Sequence, residues 1–150
     1  MKAVIQRVLE ASVTINEKVV SKIKNGLLVL VGIVDEDSKD DIDWLTKKIV
    51  NLRIFNDEHD VMNNSLIDVD GDAIIVSQFT LQASTKKGNR PSYIKAAKPE
   101  VAIPLYNQFV SQFELELNKK VGTGEFGADM KVALINDGPV TIIINSKQRD

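Results

Sequence analysis

The sequence predicts a single mixed α/β domain, residues 1–150, with a largely antiparallel sheet and two main helices. Three observations carry this. β-branched residues are spread through Ala3–Ile15 and recur after the turn-forming pairs Asn16-Glu17 and Asn25-Gly26. An unbroken apolar run, Leu27–Val34, suits a central strand. Two segments, one opening at Ser38 and one beyond Pro99, repeat apolar residues at helical spacing. A chain of 150 residues is the length of one domain.

In order along the chain, Val4, Val8, Val13 and Ile15 sit among polar partners with frequent β-branching, which suggests strands at half burial. Val19–Lys24 returns after the turn and leads through Asn25-Gly26 into Leu27–Val34, so an antiparallel meander is expected. Ser38 is a good N-cap, with Asp40, Asp41 and Asp43 where the helix dipole favours anions. Ile42, Leu45, Ile49 and Leu52 form the apolar stripe, and Lys47 and Lys48 stand near the C-terminal end. A polar stretch, Asn56–Asn64, precedes Leu66–Val69, a turn at Asp70-Gly71 and a strand over Ala73–Leu81. Gln82–Lys98 has no period and reads as a long loop, a length usual for functional segments. The second helix carries Leu105, Phe109, Phe113 and Leu117, and the missing amide of Pro104 sets its regular start no earlier than about residue 101. Strands are expected at Val132–Ile135 and Val140–Ile144, separated by Asn136-Asp137-Gly138-Pro139, with a frayed polar tail from Asn145.

Composition removes whole classes of chemistry. Without cysteine there is no disulfide, zinc thiolate, iron–sulfur cluster or thiol nucleophile, and the single histidine leaves little for metal binding, so no metal and no cofactor is expected. Residues 1–7 lack the pattern of a signal peptide, and the longest apolar run has eight residues, far short of the ~20 that span a bilayer. A soluble cytoplasmic protein with no membrane partner is expected. The net charge of −2 argues against a DNA-coating protein. It hides an uneven distribution, because Lys86, Lys87, Arg90, Lys95 and Lys98 stand in the long loop with no acidic residue. A solvated loop would look the same. Five cations beside Tyr93 also suit a nucleic-acid backbone, a single-stranded end or stem better than a long duplex.

Other motifs weigh less. Gly122-Thr123-Gly124-Glu125-Phe126-Gly127 spells a dinucleotide fingerprint, but it lies between a helix and a strand, the reverse of the order that brings amides and a helix dipole to a pyrophosphate, so a plain turn is the better reading. Asp68, Asp70 and Asp72 hint at a calcium loop, yet Gly71 comes too early and the closing glutamate is missing. His59, in a polar connection, is a weak candidate for a triad base. Ser77-Gln78-Phe79-Thr80-Leu81 and Asn136-Asp137-Gly138-Pro139-Val140-Thr141 stand out by residue type, and neither alone names a function.

Together these segments resemble the D-aminoacyl-tRNA deacylases. The likeness runs nearly end to end, through Ile5-Gln6-Arg7-Val8, Ala11-Ser12-Val13, Gly26–Leu30, Arg53-Ile54-Phe55, Ser77–Leu81, Arg90-Pro91-Ser92, Ala128-Asp129-Met130 and Asn136–Thr141. Gly127 departs from it, standing where the family carries alanine.

The resemblance implies a homodimer of barrel-like subunits, with active sites at the subunit interface, that hydrolyses the ester joining a D-amino acid to the tRNA 3′ end. Achiral glycyl-tRNA is the implied side substrate. Gly138-Pro139 would be a cis dipeptide reaching the partner's site and holding the substrate ammonium with two carbonyls. Arg7 would support it, and Met130 would border the pocket. A rigid wall against the α-carbon is what chiral selection needs, since both enantiomers carry the same groups. For the chemistry, the candidates are Ser77, Gln78, Phe79 and Thr80. The Phe79 and Thr80 amides would face the oxyanion, Gln78 would position the adenosine end, and the ribose 2′-OH would activate water, because no base stands near Thr80 in sequence. Lys86, Lys87, Arg90, Lys95 and Lys98 would meet the RNA. No DNA partner is expected.

Overall fold

The computed structural model describes residues 1–149 and has eight strands, β1 (Lys2–Ile15), β2 (Lys18–Ile23), β3 (Gly26–Gly32), β4 (Phe55–Asn56), β5 (Met62–Asn64), β6 (Asp72–Ser77), β7 (Gly122–Thr123) and β8 (Lys131–Asn145). Its two α-helices are α1 (Lys39–Val50) and α2 (Pro99–Leu117), and a single 3₁₀ turn spans Phe79–Gln82. No helix among these residues is long and apolar enough to cross a membrane.

β1 organises the sheet. One edge carries β8 along nearly its whole length. On the other, β2 pairs with Ala11–Ile15 and β3 with Lys2–Val8, so β2 and β3 lie end to end rather than as a meander. The β1–β2 turn is as expected: Asn16 and Glu17 both take positive φ, 48° and 65°, the conformation that matches the twist of a tight hairpin. β6 then joins β3 in parallel, and β7 joins β6 in parallel. The order β2-β1-β3-β6-β7 curls until its ends meet. There the Ser21 hydroxyl donates to the Thr123 carbonyl (2.5 Å) and accepts from the Thr123 amide (3.0 Å), and a barrel-like ring results.

Two apolar layers follow. Ala3, Ile5, Leu27, Val29, Ala73 and Ile75 face the helices, which bury Ile42, Leu45, Ile49, Phe109 and Phe113 against them. The opposite side of the sheet folds on itself, enclosing Val8, Val13, Ile23, Leu28, Ile74 and Val76. Each fully buried Leu, Ile or Phe contributes ~1.5–3 kcal/mol relative to exposure.

Several expectations are corrected. α2 begins at Pro99, because Lys98 caps it and Pro104 forfeits only a first-turn bond to the exposed Glu100. Its buried stripe is Ala102, Tyr106, Phe109, Phe113 and Leu117, with Leu105 only partly covered. β6 stops at Ser77, four residues early. The two strands expected near the C-terminus are one. β8 runs through Asn136–Thr141, and between the pairs Gln6↔Thr141 and Val8↔Asn136 it carries four residues, Asp137–Val140, opposite Arg7 alone.

The tail is held, up to the last described residue. Asp41, buried on α1, accepts from Ser146 Oγ (2.6 Å), Lys147 Nζ (2.7 Å) and the Ser38 amide (2.9 Å). Burial pushes the Asp41 carboxyl up, but these donors outweigh it and hold the group well below the usual carboxylate range.

Candidate active site

The site forms where β6 ends. The Gln78 amide donates to the Val31 carbonyl (2.8 Å), extending the sheet by one bond, and the chain then turns into Phe79–Gln82. This turn is pinned from below. Lys2 Nζ donates to the Leu81 carbonyl (3.1 Å), Gln82 Nε2 donates to the Gly32 carbonyl (2.9 Å), and a Cβ on Gly32 would come within 2.9 Å of the Gln78 oxygen. As the first positions of the turn, Phe79 and Thr80 have no intrahelical acceptor for their amides, and among the described residues neither amide donates elsewhere.

A cavity of about 310 Å³ opens beside this turn. Val76, Ser77, Gln78 and Phe79 line one side, and the loop between β7 and β8, with Phe126, Gly127 and Met130, lines the other. Gly127 takes φ +78° with nothing near its Cβ position, so glycine eases the turn there without changing what the wall touches. Phe79 is half exposed and meets Tyr93 edge to face, ring centroids 5.1 Å apart, which ties the long loop to the cavity rim. The Thr80 hydroxyl accepts from Gln78 Nε2 (2.5 Å), and among the described residues no carboxylate or histidine bonds to it.

The structure therefore unites Ser77, Gln78, Phe79 and Met130 around one cavity, with Thr80 next along the turn. Gly138, Pro139 and Arg7 lie elsewhere on the same chain, because five residues of β8 at ~3.3 Å each separate Lys131 from Asn136. The Gly138-Pro139 bond is cis and both residues are exposed on the four-residue excursion of β8. Arg7 is buried beneath it. Nε donates to the Asp137 carbonyl (3.1 Å), with the Asp137 carboxylate at 3.2 Å, and Nη1 donates to the Ile54 carbonyl (2.7 Å) and Asn56 Oδ1 (3.3 Å). Asn136 Oδ1 accepts from the Val140 amide (2.9 Å), bracing the excursion from its other end.

Lys86, Lys87, Arg90, Lys95 and Lys98 are all exposed, and none forms an ion pair among the described residues. The Ser84–Ser92 bridge (2.8 and 2.9 Å) makes a closed tip of residues 85–91, so three of the cations project together. The weaker motifs resolve as structure. Asp70 and Asp72 bind Lys119 (2.9 and 3.3 Å), Asp68 caps the Ser65 amide (2.8 Å), and His59 is exposed. Phe126, Asn136 and Asp137 take part although no local signal marks their roles. Phe126 sits in a segment that reads only as a turn, and the other two act through contacts with distant strands.

Comparison with known proteins identifies what the chain is similar to. A relative from Flavobacterium psychrophilum named D-aminoacyl-tRNA deacylase is 69% identical over 150 residues, covering all of both chains. One of the same name from Bacteroides fragilis is 62% identical, again over the full length of both. A solved structure titled c-Myc DNA Unwinding Element Binding Protein is 42% identical and superposes with a TM-score of 0.90, covering 97% of this chain and 98% of the other. A second, titled as a probable eukaryotic D-amino acid tRNA deacylase, shares the fold at TM-score 0.82 and 17% identity, over 95% and 97% of the two chains. A family model described as D-Tyr-tRNA(Tyr) deacylase matches residues 4–145, and the chain belongs to that family.

Proposed function

We propose that this enzyme, a hydrolase acting on aminoacyl-tRNA, seats the esterified 3′ end in the cavity between Ser77–Phe79 and Met130 and stabilises the reaction's oxyanion with main-chain amides. The observation that carries the reading is the pair of unpartnered amides of Phe79 and Thr80 beside that cavity. Water adds to the ester carbonyl, the oxygen gains negative charge, and the two N–H groups meet it without reorganising. Collapse breaks the bond to the ribose oxygen, leaving free D-amino acid and a tRNA hydroxyl. The neighbouring 2′-OH of the substrate activates the water, since among the described residues the Thr80 hydroxyl bonds only to Gln78 and no base reaches it. Gln78 positions the terminal adenosine.

Chiral selection belongs to Gly138-Pro139, which stands out from its own subunit, away from its own cavity. In a homodimer it enters the partner's site, where its carbonyls hold the substrate ammonium and exclude an L side chain. Glycyl-tRNA, with no side chain to exclude, is turned over as well. The exposed cations of Lys86–Lys98 meet the RNA backbone.

A second reading, a nucleic-acid-end binder without turnover, draws on the same unpaired cations, and one relative is named for binding a DNA element. Matched D- and L-tyrosyl-tRNA separate the two. Release of D-tyrosine with the L-ester spared upholds the enzyme, whereas tight binding of both with no release of either upholds the binder.

A further inference from the structure

The loop that forms one wall of the cavity brings Gly124 close against Met130. A Cβ built on Gly124 would stand 2.2 Å from Met130 Sδ, inside the 3.0 Å that real Cβ atoms keep, while its next neighbours, Met130 Cε and Val13 Cγ1, are at an ordinary 3.6 Å. The backbone of Gly124 does not require glycine, because its φ lies outside the left-handed region. What the missing side chain provides is room for the thioether of Met130. That thioether lines the cavity, and behind Gly124 stands Val13, fully buried in the core. Because Met130 lines the cavity, a displaced thioether alters that wall.

We propose that Gly124 is a positioning residue that sets the width of the substrate cavity by seating Met130 back from it. The proposal rests on the reading of that cavity as the seat of the esterified tRNA end. Methionine is flexible enough to move without dragging the backbone, so Gly124→Ala folds normally and narrows the site.

The chain has three methionines, Met1, Met62 and Met130, so methyl-labelled methionine gives a three-line spectrum in which Met130→Leu identifies its line. In Gly124→Ala the Met130 line shifts while the other two stay. KM for D-tyrosyl-tRNA rises about fivefold or more with kcat within about twofold, and adding Met130→Ala removes the effect, so the double variant matches Met130→Ala alone. An unmoved Met130 line overturns the proposal whatever the activity, and so does a moved line with KM unchanged. Absence of turnover in the unaltered enzyme would count against the functional reading instead, and the methyl line still decides whether Gly124 seats Met130.

Discussion

Arg7 on β1 holds Asp137 on β8 twice, through the main-chain carbonyl at 3.1 Å and the carboxylate at 3.2 Å, at the wider of the two points where the strands fall out of register. The excursion that carries Gly138 and Pro139 is thus shaped by a guanidinium at its base. Replacing Arg7 with Ala strands the Ile54 and Asp137 carbonyls in a nearly dry site. The expected cost is about 2–4 kcal/mol in urea unfolding, with a loss of at least about tenfold in kcat/KM. Arg7→Lys restores charge without the fork and recovers stability only in part.

Because the proposed oxyanion donors are main-chain amides, side-chain truncation and amide removal give different results. Thr80→Ala retains the donor, and deacylation falls by no more than about tenfold. Phe79→Ala also retains its N–H, whereas Phe79→Pro removes it at a helix-start position that tolerates proline. Single-turnover rates for Phe79→Pro are expected about 10²–10³-fold below those for Phe79→Ala. Equal rates for the two would remove the Phe79 amide from the mechanism.

Converting Lys86, Lys87 and Arg90 to Gln leaves the melting temperature unchanged, since all three are exposed and outside any ion pair. KM for the aminoacyl-tRNA rises, and the slope of log affinity against log salt falls by up to about 0.7–0.9 for each phosphate that is no longer neutralised. Titration across a range of potassium chloride measures it.

The Asp41 network predicts a stability profile on the acid side. Its carboxyl is depressed in the folded state, so its contribution is complete above the unfolded value, about 3.9, and fades as pH falls through and below it. Lys147→Met costs about 1 kcal/mol at pH 7, discounted for the partial exposure of that ammonium. The gap to the unaltered protein narrows below about pH 4, as guanidinium unfolding at stepped pH will show.

Local signals are legible in the sequence where local physics decides. The Ser38 cap and the stripe Ile42, Leu45, Ile49 define α1, and the Asn16-Glu17 turn has the conformation such a turn needs. Distance defeats the rest. Nothing local tells β3 to pair with the first half of β1 rather than with β2, since that choice belongs to the 14-residue length of β1 and the layer beneath it. Asp137-Gly138-Pro139 carries every mark of a chain-reversing turn, yet Arg7, 130 residues earlier, turns it into an excursion within one strand. Gln78, Phe79, Thr80 and Leu81 alternate polar and apolar as a strand does, which conceals the turn where the site forms. Ser77–Phe79 are marked by residue type and Met130 only by the family resemblance, whereas their meeting across one cavity depends on β7 being carried round to β6.

The barrel has a seam. Everywhere else its neighbouring strands are joined by main-chain ladders, but between β2 and β7 the stitching is the hydroxyl of Ser21 alone, with its two bonds to Thr123. The loop bearing Gly124, Phe126 and Met130 leaves the barrel beside that stitch, so one wall of the cavity borders the seam while its base stays laddered to β6. Local opening is cheapest where the fewest bonds must break. On the proposed reading, a bulky tRNA terminus meets a pocket with one wall, Ser77–Phe79, pinned to the sheet and the facing wall set beside the joint that holds the fewest hydrogen bonds.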